Sequence, residues 1–70
     1  AIDKSRNVYF SDNGRVRKIT AQTGIIITVA NIGGGGLAFD PSFANLYIVD
    51  NNAIRKLNIA TGLITTVVSN

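Results

Sequence analysis

The side chains of this 70-residue chain that could do chemistry come as a matched set. Asp12 is followed by Arg17, and Asp50 by Arg55 at the same spacing. A carboxylate beside a guanidinium could act as an acid, a base or a metal ligand. Recurrence at one spacing favours a scaffold role instead: an ion pair, or an aspartate accepting its own turn amides, that every unit of a repeat requires. There is no histidine, no cysteine and no Asp-rich calcium motif. Imidazole acid–base work, thiolate chemistry, disulfides and His/Cys metal sites are thereby excluded. The sequence accordingly assigns no catalytic residue, no metal site and no cofactor, and reads as non-enzymatic.

Arg15, Arg17 and Lys18 follow closely on Tyr9 and Phe10. Basic residues beside aromatic ones are what single-strand RNA binders use, stacking bases on rings. The first 32 residues hold five cations and two carboxylates, and the remaining 38 hold two of each, so a polyanion would be drawn to the first half. A net charge of +3 is nevertheless a mild excess that solubility accounts for, and nucleic acid is not assigned as a partner. Gly33–Gly36 invites comparison with a phosphate loop, but no Lys-Ser/Thr follows it, and it reads as a flexible linker. Thr28, Thr65 and Thr66 fit an outer strand whose edge they blunt. No Asn-X-Ser/Thr sequon is present, which leaves only O-glycosylation of Ser or Thr open.

What must position these groups is a repeat of 38 residues. Asn7-Val8-Tyr9-Phe10-Ser11-Asp12-Asn13 returns as Asn45-Leu46-Tyr47-Ile48-Val49-Asp50-Asn51, Arg17-Lys18-Ile19 as Arg55-Lys56-Leu57, and Thr23-Gly24-Ile25-Ile26 as Thr61-Gly62-Leu63-Ile64. Ala1-Ile2-Asp3 aligns with Ala38-Phe39-Asp40 at an offset of 37, with one extra residue in the loop that follows. A fixed period of this size marks units that are stable only when stacked. The units divide as 1–32, whose first strand is clipped by the start at Ala1, and 33–70, which opens on the glycine connector 33–36.

Within each unit, β-branched runs are separated by turn residues. Strands are expected at Val8–Ser11, Arg15–Thr20, Ile25–Ala30, Leu37–Asp40, Leu46–Val49, Ala53–Asn58 and Leu63–Ser69. Asp12-Asn13-Gly14 and the two Thr-Gly pairs supply the tight connections. Tyr9-Phe10, Tyr47-Ile48 and Ile25-Ile26-Ile27 place apolar groups on both faces, as in a sheet covered on both sides. The expected fold is all-β: two four-stranded antiparallel blades of a β-propeller, completed by a longer parent chain or by self-assembly.

Gly36-Leu37-Ala38-Phe39-Asp40, Asn45-Leu46-Tyr47-Ile48-Val49-Asp50, Ile54-Arg55-Lys56-Leu57 and Ala60-Thr61-Gly62-Leu63-Ile64-Thr65-Thr66-Val67, with their counterparts in the first unit, resemble the NHL-repeat β-propeller family. The resemblance covers almost the whole chain. It implies the propeller fold, and functions that range over protein binding, RNA binding, extracellular scaffolding and occasional lyase activity. It departs from the family in lacking the usual histidine, replaced by Gly14-Arg15 and Asn52-Ala53, and in carrying Asn31 and Ser69 where glycine is usual. The sequence leaves the compartment unknown, and this analogy favours the outside of the cell or its surface. A site in further blades of a larger propeller enzyme is the alternative function, and an RNA-binding domain the third.

The leading expectation is a structural or interaction module whose partner is itself or another protein. Two blades leave apolar faces uncovered, and propellers close with roughly 4–8 blades. Copies stacked head to tail would close into a ring or run on as a filament. Ile25, Ile27 and Val29, with Ile64, Thr66 and Val68, are the candidate assembly strands, in runs without charge or proline. No run reaches the ~18 apolar residues of a membrane helix, so membrane insertion is not expected.

Overall fold

The computed structural model describes residues 1–69. Its strands are β1 (Val8–Asp12), β2 (Arg15–Ile19), β3 (Ile26–Ala30), β4 (Leu37–Phe39), β5 (Asn45–Asp50), β6 (Ala53–Asn58) and β7 (Ile64–Ser69). They form a three-stranded sheet, β1-β2-β3, and a four-stranded sheet, β4-β5-β6-β7, with every pairing antiparallel. The chain is all-β, and no helix occurs among the described residues.

Local chemistry sets the hairpins. Between β1 and β2 only Asn13 and Gly14 intervene, at φ 52° and 75°, the positive values that match the right-handed twist of the flanking strands. Between β5 and β6 Asn51 repeats the first of these at φ 55°, while Asn52, in the place of Gly14, has no positive φ. The longer loops also match: Gly24 N donates to Thr20 O at 2.8 Å, and Gly62 N to Asn58 O at 2.7 Å. Even the irregularities recur, as register shifts at Val16/Arg17 against β3 and at Ile54/Arg55 against β7. A bulge adds one residue and sharpens the twist, so both sheets bend at the same place.

The first sheet falls one strand short of the expected four. Ala1 and Ile2 supply only an isolated bridge, Ile2 to Val8, with Ala1 and Tyr9 exchanging hydrogen bonds of 3.0 and 2.7 Å. Ends differ elsewhere by a residue: Thr20, Ile25, Asp40 and Leu63 lie outside the strands, and Asp12, Asn45 and Asp50 within them. The physical reason is pairing. Asp12 and Asp50 stand opposite Arg15 and Ala53 at the hairpin mouths, and Asn45 stands opposite Asn58.

The core lies between the sheets, which meet through β1 and β4. Tyr9, Val16 and Ala30 come from the first sheet, and Leu46, Ile48 and Leu57 from the second. The Tyr9 ring stands edge-on to Phe39, with centroids 5.1 Å apart and planes at 87°. Each aliphatic side chain buried here stabilises the fold by ~1.5–3 kcal/mol.

The glycine run is not the loose linker its composition suggests. Gly35 N donates to Val49 O and Val49 N to Gly36 O, which extends the β4–β5 ladder into the connector. Gly33 N donates to Asp50 Oδ1 at 3.2 Å, and Ser11 Oγ reaches across from β1 to Gly35 O at 2.8 Å. A Cβ on Gly35 would stand 2.9 Å from Val49 Cβ. Close backbone approach, not mobility, requires glycine at that position.

Candidate functional site

The repeated acid–base pairs sit at the hairpin mouths. Asp12 Oδ2 lies 3.3 Å from Arg15 Nη2 and 3.4 Å from Arg17 Nη1. Asp50 Oδ2 lies 3.2 Å from Arg55 Nε, while Arg55 Nη1 donates to Thr66 Oγ1 at 3.2 Å. The pairs are similar without being identical. Arg15 has no charged counterpart, because Ala53 stands in its place, and Arg17 Nε is buried with no partner among the described residues. Asp50 Oδ1 takes the connector amide of Gly33. These carboxylates hold turns and the connector in place, and ion pairs this exposed contribute ~0–1 kcal/mol each.

Two further aspartates do comparable work and were not singled out from the sequence. Asp3 Oδ1 accepts the amides of Ser5 and Asn7 at 2.9 Å, and Asp3 Oδ2 accepts Asn7 Nδ2 at 3.0 Å. Asp40 Oδ1 accepts Ser42 Oγ and the Ala44 and Asn45 amides, while Asp40 Oδ2 accepts Asn45 Nδ2 at 2.9 Å. At Asp3 burial pushes the carboxyl up, but the Asn7 and Ser5 hydrogen bonds, helped by the charge of Lys18, outweigh it and leave the pKa below its ordinary value. At Asp40 the Asn45 side-chain hydrogen bond leads, and with Ser42 and the backbone amides it holds the pKa low against desolvation. An aspartate four or five residues upstream of an asparagine at a strand's start, Asn7 just before β1 and Asn45 at the head of β5, was the legible signal.

Arg15, Arg17 and Lys18 do not form one patch. Arg17 and Lys18 are consecutive in β2 and project to opposite faces. Arg15 and Arg17 converge on Asp12, whereas Lys18 Nζ sits 5.6 Å above the Tyr9 ring. Tyr9 is itself buried against Phe39, so its ring is not open to a base.

The candidate assembly residues are likewise dispersed. Ile27 and Val29 line a cavity of about 160 Å³ between the sheets, with Tyr9, Lys18, Leu57 and Ile59. Ile25 lies in the loop before β3. Ile64 and Thr66 pair with Leu57 and Arg55, on the side of the second sheet that faces the first. Val68 pairs with Ile54 on the opposite side, because the bulge shifts the alternation by one.

The register reveals two uncovered faces that no single strand run announces. On the first sheet, Val8 stands opposite Ile19, Ile19 opposite Ile26, and Phe10 opposite Arg17; Ile2 adjoins through its bridge to Val8. On the second, Val49 stands opposite Ile54, and Ile54 opposite Val68. Val8, Ile2, Ile26, Val49, Ile54 and Val68 are all exposed. Apolar groups gathered on one side of a sheet mark a surface that packs on something. No family model, no curated protein and no solved structure matches this chain.

Proposed function

We propose that the chain is a non-enzymatic structural or interaction module: two blades of an NHL-like β-propeller that act through the apolar faces they leave uncovered. The observation that carries this reading is how the two sheets meet. They bury one side each, and the opposite sides, with Val8, Ile2 and Ile26 on one and Val49, Ile54 and Val68 on the other, stay in solvent. Its four carboxylates are engaged in turns and ion pairs, which supports a scaffold role over a chemical one. The expected partner is a surface of matching shape that covers these faces, whether in a ring, in a filament or on another protein.

The test is the assembly state of the purified chain over a wide concentration range, by light scattering and negative-stain electron microscopy. A mass that rises with concentration toward closed rings or fibres supports the module. A folded monomer at every concentration, which also fails to bind hydrophobic dye, would show that the exposed faces recruit nothing and would overturn it.

A further inference from the structure

The two uncovered faces are the two halves of an interface that the chain already makes once. Inside the molecule, the Tyr9, Val16 and Ala30 side of the first sheet packs on the Leu46, Ile48 and Leu57 side of the second. Moved forward by the 38-residue period, the first of these sides becomes Tyr47, Ile54 and Val68. Moved back by the same period, the second becomes Val8, Phe10 and Ile19. Those are the sides that lie open at the far ends of the stack, with exposures of 39% at Ile54, 56% at Val68 and 38% at Val8.

We infer that these faces bind a second copy of this chain head to tail: the Tyr47, Ile54 and Val68 face of one copy covers the Val8, Phe10 and Ile19 face of the next. This rests on the reading that the uncovered faces are the working surfaces, and adds what covers them and in which orientation. The contact continues an interface the fold has already formed, with the same bulges behind it and the Ile2 bridge in the place of β4. Edge-on packing of Tyr9 against Phe39 becomes Tyr47 against Ile2 of the second copy, since Ile2 occupies the position of Phe39.

Charge does not choose between this arrangement and a two-fold one; the continuity of the interface does. Placing the Val8 face against itself would bring Arg15 and Arg17 of both copies together, with Asp12 the only acid on that side of β1 and β2. Head-to-tail contact presents Asp12, Arg15 and Arg17 to a face whose one cation is Lys56, so it too sets one net-positive face on another, but it alone repeats the packing already made between the two sheets. Such a contact is heterologous, so it propagates until it closes.

Complementary blocking tests this. Ile54→Lys and Val8→Lys each obstruct a different face at an exposed position, and each variant alone should lose at least about tenfold in self-association, because a charge would be buried without a partner. Mixed in equal amounts they should recover a dimer that grows no further, since one open face of each kind remains. Because a lysine-blocked variant can fail to fold, the second measurement leaves both faces open in a chain that has no cysteine of its own. Chains carrying Ile54→Cys and Val8→Cys, made separately and then mixed, should give a mixed cross-linked dimer with a short bismaleimide and no product from either chain alone. Cross-linked dimers from a single variant would show like-face pairing, leaving the assembly reading in place and overturning the head-to-tail contact. An unmodified chain that stays monomeric throughout would overturn both.

Discussion

The two sheets share a sequence pattern and a backbone plan, yet bury opposite sides. Leu46 is fully buried while Val8, its counterpart, is 38% exposed; Val16 is fully buried while Ile54 is 39% exposed. Residue type does not explain either pair, since all four side chains are aliphatic and β-prone. Position in the stack does. Bulges and strand register are set within each unit and come out the same twice, whereas the core depends on which side a neighbour covers. In a repeat of this kind the local fold belongs to the unit and the stability belongs to the interface.

The sharpest way to break that comparison is to truncate matched positions. Leu46→Ala removes a side chain from the closed core and should cost about 2–5 kcal/mol. Val8→Ala, at the equivalent place on an open face, should stay within about 0.5 kcal/mol in a dilute sample. Urea unfolding at low protein concentration measures both. Raising the concentration should narrow the gap, as association brings Val8 into a core of its own. Equal costs in the dilute sample would show that the two sheets are not inequivalent after all.

The connector offers a smaller contrast, between two neighbouring glycines. Gly35→Ala places a methyl group 2.9 Å from Val49 Cβ and should destabilise by about 1–3 kcal/mol. Gly36→Ala meets nothing within 4 Å and has no positive φ, so it should be neutral or stabilising by up to about 1 kcal/mol, through the unfolded chain. Thermal unfolding of the two variants side by side distinguishes a held connector from a slack one. Two small and equal effects would restore the linker that composition suggests.

This separation of local and stacking effects also explains what the sequence made legible. The hairpins could be read directly, because Asn13-Gly14 and the Thr-Gly pairs are the residues that such turns require. The bulges could not, since Val16-Arg17 looks like any strand interior, and without them Val68 is assigned to the wrong side. The same omission scattered the proposed assembly strands over both faces. Arg15, Arg17 and Lys18 looked like a patch because sequence adjacency hides the alternation of a strand. Which of Tyr9 and Tyr47 is buried was not legible at all, because nothing in either unit records which side faces a neighbour.

The loops closed by Asp3 and Asp40 differ in length by one residue yet share one geometry, and pH tests whether that agreement matters energetically. Arg6 and Phe43 occupy the same left-handed position in it, at φ 67° and 62°, each with its amide bonded to the aspartate carbonyl three residues back. Both carboxyls titrate below their ordinary value of 3.8 in the fold. A lowered folded-state pKa means that the contribution is complete above the unfolded value and is lost as pH falls through the folded one. The melting temperature should therefore decline from about pH 5 toward about pH 2, and Asp40→Asn should start lower at neutral pH but decline less steeply. Asp3→Asn should behave likewise with a smaller change, since Asp3 accepts three hydrogen bonds where Asp40 accepts four. Melting curves that run parallel to those of the unmodified chain would show that the two loop carboxylates contribute nothing to stability against acid.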